Sequence, residues 1–243
     1  METMDIGKCF RDAWGLFKLD VGPLIVTALV AAVTAAIVRF VIVLAVGGSV
    51  LSTRAGWFVG GVGAVTGFFA SLLLAVVLVF VYAWFIATSL RMIMGRVRQH
   101  RPADYADMQD LSGIGTYAVA SVVLGLILVV GYAVLIVPGL IFTTLWVFTL
   151  PLMADRGAGL GDAMSGSQQL AKEGGGYLHT FAVWFVGSLA VGIAASILNA
   201  LPVIGQILGL LTAPFAVAYV VSMYFQATGQ GHLVDESLRA GGA

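Results

Sequence analysis

A chain of 243 residues that is 60% hydrophobic and only 10% charged, with a mean hydropathy of +1.03, excludes a soluble domain, which carries about 25% charged residues to cover its surface. Twelve Lys+Arg balance twelve Asp+Glu, so no polyanion partner such as nucleic acid is implied. Cys9 is the sole cysteine, which excludes an internal disulfide and leaves a small buried apolar residue as its reading.

The chain opens on "DIGKCFRDAWGLFKLD" (5–20), where Ile6, Phe10, Ala13, Trp14 and Phe17 share one helical face and Lys8, Arg11, Asp12 and Lys18 take the rest. This is the pattern of a helix lying in the headgroup region, with residues 1–22 as the interfacial segment and Trp14 as its anchor. The first apolar run, 23–46, is 24 residues long. That exceeds the roughly 7–15 of a signal-peptide core and predicts a retained spanning helix.

From Ala55 to Leu90 no charge occurs. Gly56, Gly60, Gly63 and Gly67, followed by Ser71, fall on one helical face and suit close helix packing through small residues. The span itself is predicted over 68–94. After the polar stretch "GRVRQHRPADYADMQD" come spans at 114–137 and 140–153, with Pro138-Gly139 as the turn of a helical hairpin. Pro151 frees the carbonyl of Val147, predicting a local kink in which Thr149 helps satisfy the exposed groups.

"LGDAMSGSQQLAKE" (160–173) repeats the surface-helix pattern: Leu160, Ala163, Met164, Ser167, Leu170 and Ala171 form a stripe, and Gly174-Gly175-Gly176 ends it. A second hairpin follows, with spans at 177–200 and 206–225, a turn at Pro202, a kink at Pro214, and a cytoplasmic tail at 227–243. The matched "TLP" (149–151) and "TAP" (212–214) allow either a parallel internal repeat or two hairpins converging on similar breakers.

Six spans put both termini on one side. Lys8, Arg11, Lys18, Arg91, Arg96, Arg98, Arg101, Arg156, Lys172 and Arg239 fall there and only Arg54 falls opposite, so that side is cytoplasmic. The expected fold is an all-α polytopic membrane helix bundle of six transmembrane helices plus two cytoplasmic interfacial amphipathic helices. It forms one domain in the cell's inner (plasma) membrane.

Arg39 is the one charge within a span. It either snorkels to the outer headgroups or contacts an anionic ligand or lipid. No Asp or Glu lies within any predicted span, which disfavours proton- and sodium-coupled transport. His100, His179 and His232 stand at no metal-ligand spacing, and no nucleophile–base pair emerges. No catalytic residue, cofactor or metal is expected.

Pro138, Gly139, Pro151, Asp155, Ala163, Ser167, Leu170, Gly176 and Phe181, together with "AWGLFKLDVGPLI" (13–25), resemble a pattern of uncharacterised bacterial six-span proteins. Those are similar to the membrane domain attached to some glycerophosphoryl diester phosphodiesterases. The resemblance implies a membrane location; no phosphodiesterase domain is present, so that activity does not carry over. The function expected is a non-enzymatic scaffold or lipid-organising component of the envelope. Its partners would be membrane lipids and, beyond them, a membrane-protein partner or homo-oligomer. The alternative is a transporter or channel for a small neutral or anionic solute.

Overall fold

The computed structural model describes residues 4–52, 57–134, 136–200 and 211–241. All regular structure among them is helical. In chain order the helices are α1 (Ile6–Leu19), α2 (Val21–Ser52), α3 (Trp57–Gln99), a 3-10 turn at Tyr105–Met108, α4 (Ile114–Val134), α5 (Ile136–Trp146), α6 (Thr149–Arg156), α7 (Leu160–Glu173), α8 (Tyr177–Asn199), α9 (Thr212–Ala227) and α10 (Gly231–Gly241). Five stretches are long and apolar enough to cross a bilayer: Val21–Val41, Ala75–Gln99, Ile114–Ala133, Val137–Arg156 and Tyr177–Leu198. Each has at least the roughly 20 residues a 30 Å hydrocarbon core demands, and large apolar side chains such as Phe40, Val129 and Leu178 face outward. This is the architecture of a multi-pass membrane protein.

Of the expected sixth span, residues 206–210 lie outside the described residues. The described part, α9, is the most enclosed helix: Tyr219, Val221, Met223, Tyr224 and Phe225 are all buried. It packs against α1, α3, α8 and α10. Its tightest contact is with α8 at Gly187, where a Cβ would stand 2.0 Å from Cε1 of Tyr219. The Tyr219 hydroxyl donates to the Val183 carbonyl at 2.7 Å, so the ring has no easy retreat. Gly187→Ala is therefore expected to cost about 1–3 kcal/mol by overpacking, read as a lowered melting temperature in mild detergent.

Helix α1 starts on Asp5, whose carboxylate accepts the Lys8 N–H at 2.8 Å. Its buried face is Cys9, Asp12, Ala13, Leu16 and Phe17, which corrects the predicted pattern at Asp12, a residue that points inward. The reason lies far along the chain. Helices α9 and α10 cover this face, and the Gln226 amide on α9 donates to Asp12 at 3.4 Å. Burial first, then Asp12, pushes the Cys9 thiol up to about 12, so it is an inert core residue.

Burial first, then the charge of Asp235, raises the Asp12 carboxyl above its ordinary value, against the opposing pull of Lys8, Gln226 and Arg11. A carboxyl that holds its proton more tightly when folded loses stability as pH rises above the ordinary carboxylate range. Asp12→Asn should thus raise the melting temperature at pH 7, with the gain vanishing below about pH 4. Melting curves across that range test the sign.

The α4–α5 hairpin differs in detail from expectation. Helix α4 ends at Val134 and α5 begins at Ile136, so Pro138 and Gly139 sit in the first turn of α5, where a missing N–H costs nothing. Gly139 serves close approach instead of turning: a Cβ there would meet the Tyr132 ring at 2.5 Å. The Tyr132 hydroxyl stands 3.2 Å from that of Thr143 across the pair.

At Pro151 the helix is broken, not merely kinked. Helix α5 stops at Trp146, α6 restarts at Thr149, and Pro151 is its third residue. Ser167 on α7 closes the gap, donating to the Leu145 carbonyl at 2.7 Å and accepting the Phe148 N–H at 3.1 Å. The Thr149 hydroxyl, expected to help, is buried without a partner among the described residues. Pro214 likewise is the third residue of α9, and is buried. Pro202 and Gly56 lie outside the described residues. Gly60, Gly63 and Gly67 fall within α3, one continuous helix of 43 residues. Helix α7 buries Ala163, Ser167, Leu170 and Ala171 as its stripe predicts. It ends where Gly175 and Gly176 take φ of 116° and 92°, backbone open to glycine alone among common residues.

Candidate functional site: an arginine-lined cavity

Positions 91, 94, 95 and 98 of α3 share one face and form the wall of a cavity of about 650 Å3. The 101–110 connection, the end of α6 and Gln230 close its other sides. Arg91 pairs with Asp110 at 3.0 Å and also donates to the carbonyls of Asp110 and Ser112, pinning the connection to α3. Past the end of α3, His100 adopts φ 51°, and the Arg101 N–H turns back to the Gly95 carbonyl at 3.4 Å. The Arg101 guanidinium then lies over Gly95 and donates to Asp107 at 2.7 Å.

The deepest pair is Arg98 with Asp155. Nε and Nη2 of Arg98 each donate to the carboxylate at 2.7 Å, the Tyr224 hydroxyl donates to the same group at 2.6 Å, and the Phe225 ring underlies the guanidinium at 5.1 Å. Such fork-on-fork pairing fixes orientation as well as charge. On the opposite face of α3, Arg96 grips the buried Asp20 with two donors, and the Ala103 N–H adds a third at 3.1 Å. That pair is framework, outside the cavity.

Hydrogen bonding to Asp107 raises the Arg101 guanidinium further above its ordinary range, so it stays charged. Hydrogen bonds from Ser112, aided by the Arg91 charge, hold Asp110 below the usual carboxylate range. Arg156, at the cavity mouth, is exposed and has no carboxylate within ion-pair distance among the described residues. Gln230 presents a buried side-chain oxygen with no hydrogen-bond partner among them. Fixed guanidinium groups are equipped to hold an anion. Among the described residues no three His, Cys, Asp or Glu side chains converge as metal ligands would.

Of the residues singled out from sequence, Asp155 lines this cavity, while Arg39 and Trp14 do not. Arg39 is exposed on α2 between Ile37 and Phe40, turned away from the bundle. Trp14 lines an apolar cleft of about 400 Å3 with Phe10, Phe17, Leu198 and Phe215, its ring 5.1 Å from the Lys18 ammonium. The cavity was missed because its deepest ion pair joins residues 57 apart in sequence (Arg98 and Asp155), and one sequence shows no such pairing. The available signal was the crowding of arginines at 91, 96, 98 and 101. Compared with protein-family models, with curated proteins and with solved structures, the chain matches none, so its own chemistry is the basis for any reading of function.

Proposed function

We propose that the protein is a non-enzymatic, lipid-organising component of the inner (plasma) membrane, holding an anionic headgroup in the arginine cavity of its cytoplasmic face. The observation that carries this reading is the cavity itself, whose exposed Arg156 is not matched by a carboxylate among the described residues. Its position supports the reading too: two of the apolar windows end on its wall, at Gln99 and Arg156, the depth at which headgroups begin.

A topology of six crossings belongs to the same proposal. Lys8 of α1 pairs with Asp235 of α10 at 3.1 Å, and His179 at the start of α8 lies 2.7 Å from the Met4 carbonyl. Both ends of the chain thus share one end of the bundle with the entry to α8, which supports α9 as the return crossing. The inside-positive bias assigns that end to the cytoplasm, with α1 and α7 along the headgroups and Trp14 as anchor. In a Cys9→Ser background, a cysteine at Ala240 should label only from the cytoplasm and one at Arg54 only from outside; labelling of both from one side would overturn six crossings.

Native mass spectrometry of gently extracted protein should find anionic lipid retained. The Arg101→Gln, Arg156→Gln double variant should lose it, and Arg39→Leu should keep it. A chain that carries no anionic lipid, or loses it only on Arg39→Leu, would refute the reading.

A further inference from the structure

We propose that the cavity selects a singly charged phosphodiester bearing free hydroxyls, the headgroup chemistry of a polyol phospholipid; this rests on the function proposed above. Two independent observations lead there. The first is charge. Four arginines and three aspartates line the cavity, leaving one net positive charge. A monoanionic phosphodiester neutralises it. A phosphomonoester, carrying close to two charges at neutral pH, would sit with excess negative charge beside three fixed carboxylates, and a zwitterionic headgroup would leave the positive charge uncompensated.

The arginines retain donors for such a ligand. Arg98 gives Nε and Nη2 to Asp155, which leaves Nη1. Arg101 gives only Nη2 to Asp107, which leaves Nε and Nη1. Arg156 has no carboxylate within ion-pair distance among the described residues, though it lies close enough to act on Asp155 and Tyr224. Two non-bridging phosphate oxygens meet a forked donor well.

The second observation is the Gln230 side-chain oxygen, buried at the cavity and unpartnered among the described residues. A buried acceptor left empty costs free energy, and an anion cannot fill it, since a phosphodiester oxygen only accepts. A ligand hydroxyl can, once the Gln230 side chain turns its oxygen, now out of reach of water, toward the cavity that the residue lines. The site therefore calls for an anion and a hydrogen-bond donor on one molecule. Met94 and Ala154 on the wall offer carbon surface for the polyol backbone, and the volume of about 650 Å3 falls within the roughly 300–1,000 Å3 of small-molecule sites.

The test uses the full chain in mild detergent, offered phosphatidylglycerol, phosphatidic acid and phosphatidylcholine in equal amounts, with retention read by native mass spectrometry. Phosphatidylglycerol should be held about tenfold better than either competitor, and Gln230→Leu should remove most of that margin over phosphatidic acid. Arg156→Gln should weaken retention of both anionic lipids, with the melting temperature as a check that the variants fold. Phosphatidic acid held as well as phosphatidylglycerol, or a Gln230→Leu variant with unchanged preference, overturns this inference while leaving the lipid-binding function standing. No anionic lipid held by the wild-type chain defeats both. Soluble glycerophosphoglycerol separates the two sources of the chemistry: displacement of the lipid at millimolar concentration assigns a free phosphodiester, and no displacement assigns the membrane lipid.

Discussion

Asp155→Ala is expected to lower stability by roughly 2–3 kcal/mol. The carboxylate side chain is only 6% exposed, and its partner Arg98 is 32% exposed. Removing one member of a buried pair costs about 3–5 kcal/mol, and partial solvent access at Arg98 reduces that. The stranded groups are a guanidinium above the Phe225 ring and the Tyr224 hydroxyl. Tyr224→Phe should cost only about 1 kcal/mol, because the ion pair survives it. The Arg98→Met, Asp155→Leu double variant should be less harmful than Asp155→Ala alone, since it leaves no uncompensated charge. Denaturation midpoints in bicelles rank the three. A double variant worse than Asp155→Ala would mean that the pair contributes through more than mutual compensation.

The second large effect is expected at Ser167. Ser167→Ala removes the hydroxyl that serves both the Leu145 carbonyl and the Phe148 N–H at the break between α5 and α6. Two buried backbone groups then go unpaired at about 1–3 kcal/mol each, for a loss of roughly 2–4 kcal/mol. Thr149→Val is the control from the same break. Its hydroxyl is buried and already unpartnered, so a same-shape apolar replacement should be neutral or stabilising. Equal losses in the two variants would show that crowding near Pro151, and not the hydrogen bonds, sets the cost.

These residues also mark how far the sequence could be read. The five apolar windows were legible because bilayer thickness imposes a length on any chain that crosses it. The stripe on α7 was legible because its partners lie on one side of it, as a 3.6-residue period assumes. The inward face of α1 was not. Asp12 turns inside because Gln226, 214 residues later, reaches it, and periodicity carries no information about such a partner. Pro138 was read as a turn and Pro151 as a kink, but each is the third residue of its helix, since a proline is tolerated best in the first turn. The breaks therefore fall a few residues ahead of each. Arg39 drew attention by being charged within an apolar run. The cavity arginines looked ordinary, as charges flanking apolar windows do.

The pairing of the first helix with the last carries a consequence for how the molecule is made. Leu238 of α10 packs onto Gly15 of α1, and Leu19 of α1 meets Gly241. Residues on the inward side of α1 find their cover on α9 and α10. Translation delivers α1 before the helices that cover it. Throughout translation the face bearing Cys9, Asp12 and Leu16 must wait, resting on the membrane surface or held by an insertion factor. Loss of α10 would strip Leu238 from Gly15 and open part of the α1 face, while α9 would still cover the rest.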